Sequence, residues 1–127
     1  MKQVTPIAAL LVAGIVLALS AAWSQEDMTV VDNAVFENPR RPPAVFNHEE
    51  HNEKAFLFDC AACHHVYEDG ELVEGASSED QRCSDCHDLK GSRGRPSLIQ
   101  AFHGQCKGCH LAEKKGPILC GECHVKP

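Results

Sequence analysis

Beyond its first 24 residues this chain has little of the material from which small proteins build a core. Between Gln25 and Pro127 only 22 residues are Ile, Leu, Val, Met, Phe, Tyr or Trp. That is thin for one domain of about 100 residues, whose burial must offset the entropy of ordering the chain. No cysteine precedes Cys60, which excludes a lipid anchor on a cysteine at the end of an export signal. An excess of cations is lacking too. From Gln25 onward 11 Lys and Arg face 18 Asp and Glu, a net of −7, and that balance argues against nucleic acid as a partner.

Residues 1–24 are organised as an export signal. Lys2 is the charged start, Ile7 to Leu19 is an uncharged apolar run, and Ala22-Trp23-Ser24 fits a small-x-small cleavage site. Cleavage near Ser24 is expected, leaving residues 25–43 as an N-terminal arm and 44–127 as the domain proper. The rival is an uncleaved anchor, because Ile7 to Trp23 carries no charge and approaches the ~20 residues of a membrane span. The shortness of the apolar run and the cleavage site favour removal. Export places eight cysteines in an oxidising compartment, where a disulfide framework is the ordinary expectation.

The spacing of the cysteines points elsewhere. All eight fall into four CxxC pairs, each followed at once by histidine: "CAACH" (Cys60, Cys63, His64), "CSDCH" (Cys83, Cys86, His87), "CKGCH" (Cys106, Cys109, His110) and "CGECH" (Cys120, Cys123, His124). Two thiols on one turn can form thioethers to the two vinyl groups of a porphyrin, and the next residue then sets an imidazole on its iron. Paired CxxC units also build zinc sites, but zinc does not call for histidine after every second cysteine. Four covalently attached haem c groups are therefore expected, and their rings would supply the missing apolar mass. An apoprotein deprived of them should be largely unfolded.

Four histidines remain: His48, His51, His65 and His103. Taken singly they read as surface residues, above all His48 and His51 among Glu49, Glu50 and Glu53. Taken together they match the four vacant axial positions, and methionine hardly competes, because Met28 is the only one left after the leader. Bis-histidine ligation of all four irons is the expectation. In "CAACHH" His64 belongs to its own haem, so His65 can serve only another. Adjacent Cα atoms are about 3.8 Å apart and each imidazole reaches several Å, which puts the two irons within roughly 16 Å. "FNHEEH" repeats the device, since His48 and His51 three apart share a helical face. Phe46 just before them either fills ordinary apolar space or sits against a porphyrin between their haems.

The order "VFNHEEH", "CAACHH", two further CxxCH sites with a lone histidine between them, and a terminal "CGECH" resembles the tetrahaem cytochrome c3 family, the class III cytochromes c, over Ala44 to Lys126. The resemblance implies that the haem at Cys60, Cys63 and His64 takes His48 as its second ligand. It likewise implies His65 for the haem at Cys83, Cys86 and His87, His51 for that at Cys106, Cys109 and His110, and His103 for that at Cys120, Cys123 and His124. Common basic members often have four residues between the cysteines of the second and fourth sites, whereas every spacing here is two. "HGQCKGCH" and "GPILCGECHVK" look like trihaem relatives that lack the second haem, which this chain keeps. The nearest likeness is to the acidic, type II cytochrome c3. It implies a carrier in the periplasm of sulfate-reducing bacteria, with hydrogenase, other cytochromes c and a transmembrane redox complex as partners, and contact with the membrane only through a partner.

The remaining segments read as connections. "ENPRRPPAVF" is Pro-rich and not helical. "VYEDGELVEG" carries Asp-Gly between apolar-flanked segments and suggests a small hairpin. "SSEDQ" and "KGSRGRPS" are solvated loops. "SLIQAFHGQC" has a helical period in Leu98, Ile99 and Phe102, so His103 is expected on a short helix with Ser97 as N-cap. The fold class expected is mainly coil with short α-helices and a small β-hairpin, a compact multihaem cytochrome c domain wrapped around four haems.

Charge is uneven along the chain. Residues 25–88 hold 4 basic against 16 acidic side chains, and residues 89–127 hold 7 against 2. Individually these belong to a solvated surface. As a set, Lys107, Lys114, Lys115 and Lys126 around the last two motifs would steer an acidic partner to that end. With two imidazoles on every iron no position is open for substrate, so an electron carrier rather than an enzyme is expected, with low haem potentials for want of a methionine ligand. The competing reading is a small multihaem reductase in which one iron lacks its histidine, His103 or His51 being the one to suspect.

Overall fold

Asn47 starts the first helix. Its side chain accepts a hydrogen bond from the backbone N–H of Glu50, and the chain then forms α1, His48–Ala55. Glu49 and Glu50 lie in its first turn and Lys54 in its last, the arrangement that complements the helix dipole. The Lys54 ammonium also pairs with Glu50 one turn back, and the helix stops where Phe56 turns left-handed. This is a computed structural model, and it describes residues 28–92 and 94–126. The export signal expected at 1–24 and the first residues of the expected arm, 25–27, lie outside the described residues.

After α1 the elements are short. A 3-10 turn, Cys60–Ala62, precedes β1, His65–Glu68, and β2, Glu71–Ser77, which pair antiparallel as a hairpin. Asp69 and Gly70 make the two-residue connection with φ of 50° and 88°, the left-handed pair that Asp-Gly adopts most readily. The register opposes Tyr67 to Leu72 and His65 to Ser77, with a bulge between. Two one-turn helices follow at the second and fourth motifs: α2, Cys83–Cys86, and α4, Cys120–Cys123.

Between them runs α3, Leu98–Glu113, 16 residues long. Ser97 caps it in a reciprocal box: Gln100 N–H donates to the Ser97 hydroxyl and the Gln100 side chain accepts from Ser97 N–H. The sequence suggested a shorter helix. The ladder instead continues through the whole third motif to a left-handed Lys114, even though Gly104 and Gly108 each cost about 1 kcal/mol against alanine.

The arm is tied to the domain by backbone bonds. Val30 bridges Val45, Phe46 N–H donates to Thr29 at 2.9 Å, and His48 N–H donates to Met28 at 3.0 Å. Val45 N–H in turn donates to Cys123 at 2.8 Å, joining the start of the domain to its last motif. Arg82 holds Asp32 at 3.2 Å from fifty residues away.

Apolar packing plays a small part in this. Among the described residues only Leu98 is buried, whereas Phe56 and Phe58 stand 78% and 84% exposed, and Leu72, Leu119 and Tyr67 each expose over half their surface. A core of one leucine cannot offset the entropy of ordering about 100 residues.

Two outcomes follow. Chain produced without haem attachment should show no cooperative thermal transition by circular dichroism, while a sharp transition would mean that the polypeptide folds on its own. In the haem-loaded protein Ser97→Ala should cost about 1 kcal/mol through loss of the cap, read as a lower thermal midpoint.

Candidate functional site

Each CxxCH motif closes as a single turn. The backbone N–H of the motif histidine donates to the carbonyl of the first cysteine for His64 at 2.8 Å and for His87 and His124 at 2.9 Å, and Cys106 and His110 lie in the unbroken ladder of α3. Cysteine and histidine four apart then share a face. In two motifs the residue before the second cysteine stabilises the turn: the Asp85 carboxylate accepts from Arg82 N–H, and that of Glu122 accepts from Ile118 and Leu119 N–H. These bonds hold the carboxyl of Glu122 below the usual carboxylate range.

The eight cysteines are all free, and every one except half-buried Cys123 is exposed. Burial raises the thiols of Cys63, Cys83 and Cys123, and that of Cys106 is pushed up to about 11. A hydrogen bond to Glu79 raises Cys60. Among the described residues no three His, Cys, Asp or Glu side chains converge on one point.

The histidines converge in twos. Ring centroids lie 6.4 Å apart for His48 and His64, 6.1 Å for His65 and His87, 6.1 Å for His51 and His110, and 6.3 Å for His103 and His124. Each couple joins one motif histidine to one spare histidine. Two imidazoles bound from opposite sides to one metal through bonds of about 2 Å have ring centres about 6 Å apart, so every couple has room for one iron and not for direct contact. His64 and His65, adjacent in the chain, belong to different couples. His48 and His51 also divide, one turn apart on α1. His103 and His110 sit seven residues apart on α3, about 10 Å of rise and nearly the same face.

Hydrogen bonds fix which nitrogen is left to bind. Nδ1 of His87 bonds to the Pro96 carbonyl at 3.1 Å, Nδ1 of His110 to Pro117 at 2.7 Å and Nδ1 of His124 to Pro42 at 2.7 Å. A carbonyl only accepts, so each Nδ1 carries the proton and Nε2 keeps its lone pair, the tautomer that metal-bound histidine requires. Burial holds His65 below the usual histidine pKa, helped by the neighbouring His87 and His64 rings, which again favours the neutral ligand. On α1 the Nδ1 atoms of His48 and His51 are buried without a hydrogen-bond partner. A Glu49 oxygen comes within 3.3 Å of the former but out of line for a hydrogen bond. These two ring nitrogens are thus withdrawn from solvent despite their acidic neighbours, although both residues are only half-buried.

Several contributors were not legible beforehand. Pro42, Pro96 and Pro117 read as loop punctuation, yet their carbonyls orient three imidazoles. Gln105 donates to the Ala62 carbonyl at 2.7 Å and ties α3 to the first motif. Tyr67, two residues beyond His65 on β1, sets its ring edge-on to that imidazole at 5.4 Å; the two-residue strand period was the available signal. Phe46, by contrast, was singled out from the sequence, and its ring lies 5.9 Å from that of His48 and 5.0 Å from that of His51.

Comparison with known proteins agrees with these motifs. The model of the class III cytochrome C family matches residues 24–124. Cytochrome c3 of Desulfovibrio desulfuricans is 33% identical over 92 residues, 68% of this chain and 81% of that protein. Cytochrome c7 of Geobacter metallireducens is 47% identical over 49 residues, 35% of this chain and 49% of its own length. Among solved structures, PpcB, a cytochrome c7 from Geobacter sulfurreducens, is 30% identical and covers 79% of this chain and 99% of its own, with a TM-score of 0.39. The chain belongs to the class III cytochrome c family, and it is an electron carrier of the cytochrome c3 and c7 kind rather than an enzyme.

Proposed function

We propose that the chain is a four-haem, low-potential electron-transfer protein of the periplasm, in which every iron is held by two histidines. The haem on Cys60 and Cys63 takes His64 and His48, that on Cys83 and Cys86 takes His87 and His65, that on Cys106 and Cys109 takes His110 and His51, and that on Cys120 and Cys123 takes His124 and His103. The observation that carries this reading is the set of four histidine couples with centroids 6.1 to 6.4 Å apart. The bare apolar surface around them supports it, since porphyrin rings are the apolar mass that would cover it.

Bound haem supplies a one-electron couple at each site. The chain's own residues hold the sites close together, because the His64-His65 dipeptide, the His48 to His51 turn and the His103 to His110 span each link two of them. This wiring orders the motifs as second, first, third, fourth. Three of the motif histidines, His87, His110 and His124, present a neutral Nε2 through the carbonyls of Pro96, Pro117 and Pro42, and no iron is left with a position for substrate. Strong donation from two imidazoles, without methionine, stabilises the ferric state and keeps the potentials low. The acidic character of the chain and its uniform two-residue spacings fit the type II cytochromes c3. On this reading the protein passes electrons between a hydrogenase and cytochrome pool and a transmembrane redox complex in sulfate respiration.

The experiment is an absorption spectrum of the purified, dithionite-reduced protein with haem counted per chain, before and after carbon monoxide. Four low-spin haems indifferent to carbon monoxide are expected, and a change equivalent to one haem would move the reading to a reductase with an open iron. His65→Ala should open one iron in four, so that carbon monoxide then binds a quarter of the haem.

A further inference from the structure

The helix α3 ends in a turn that grips its own last histidine. Lys114 takes a left-handed φ of 53° and sends the chain back, so that Lys115 N–H donates to the His110 carbonyl at 3.1 Å. Gly116 follows with φ of 81°, and the Pro117 carbonyl then accepts from His110 Nδ1 at 2.7 Å. A Cβ at position 116 would lie 2.6 Å from Cδ2, 2.8 Å from Nε2 and 2.9 Å from Cγ of the His110 ring. All three distances are shorter than side chains tolerate, so the glycine backbone itself lies against the imidazole. Positive φ alone does not explain the residue. Gly94 has φ of 84° and its Cβ would meet nothing within 4 Å.

We propose that the Gly116-Pro117 turn is a positioning device that sets the rotation of the His110 ring, and through it the electronic state of the iron shared with His51. It rests on the bis-histidine reading above. Two constraints act on one ring: the Pro117 carbonyl fixes the direction of Nδ1–H, and the flat glycine backbone closes one side to rotation. A single hydrogen bond leaves a ring free to swing about it. The bond and the wall together do not.

The ring planes of this couple are the least steeply inclined of the four. His51 and His110 are inclined at 45°, against 65° for His48 and His64, 73° for His103 and His124 and 86° for His65 and His87. When imidazole planes approach parallel, both π systems act on the same iron d orbital and split it from its partner, whereas crossed planes leave the two nearly degenerate. With haem bound, the third site would have the largest splitting, and its ferric resonance should be the least anisotropic of the four. Orientation of an axial ligand by its outer hydrogen-bond partner is a general means of tuning a metal.

The test compares Gly116→Ala with Gly94→Ala in the haem-loaded protein by electron paramagnetic resonance and redox titration. Gly116→Ala should move the least anisotropic of the four low-spin signals and shift the potential of one haem in four, leaving three as they were. Gly94→Ala carries the same backbone strain without the contact and should match the parent. Four unchanged signals in Gly116→Ala, or the same change in both variants, would overturn the proposal. If Gly116→Ala fails to mature, nuclear magnetic resonance of the reduced parent protein decides: cross-peaks between the Gly116 α-protons and the His110 ring are expected, and their absence overturns the contact. Haem count and carbon monoxide response of the parent are measured on the same sample. A carbon monoxide response there defeats the bis-histidine reading, and the cross-peaks still judge the turn separately.

Discussion

Imidazole geometry governs this molecule. A neutral histidine binds iron only through a nitrogen that carries no proton and only along the plane of its ring, so eight such rings cannot be placed without fixing the backbone that bears them. Here they join α1 to the first and third motifs, β1 to the second, and α3 to the fourth. Among the described residues every regular element either carries one of these histidines or lies beside one. In an ordinary small domain the apolar core would hold the elements in place, but that task cannot fall to a single buried leucine. On the proposed reading, cofactor ligation would supply the folding free energy, as structural metals do in other small domains.

The backbone supplies the second constraint. Proline has no N–H and its φ is fixed, so its backbone offers a carbonyl as its one hydrogen-bonding group. Three such carbonyls face three motif histidines. One of them, at Pro42, comes from 82 residues earlier in the chain, so the arm takes part in the fourth site. The bonds from Met28, Thr29 and Asp32 to the body of the domain show how the arm is held there.

Much of the site was legible because its chemistry is local. Four CxxCH strings, a dipeptide of two histidines, an Asp-Gly turn and a serine before an amphipathic run each carry their meaning within a few residues, and each forms the turn, hairpin or cap that local sterics favour. What could not be read depends on distant chain. Nothing near His124 announces Pro42. Gly116 resembles any loop glycine until the His110 ring is set beside it. The length of α3 was underestimated because Gly104 and Gly108 weaken a helical signal that the ladder survives. The acidic residues around His48 and His51 suggested a solvated stretch, while the buried Nδ1 atoms of both rings show that the helix turns them inward.

The account stands on all eight histidines being ligands, two to each iron. Proton magnetic resonance of the fully reduced protein measures this residue by residue, since ferrous low-spin haem is diamagnetic and a ring bound above a porphyrin is shifted far upfield. Eight shifted imidazoles are predicted, coupled through space to four haems as His48 with His64, His65 with His87, His51 with His110 and His103 with His124. A single spare histidine with ordinary shifts, or one coupled to a different haem, would contradict it.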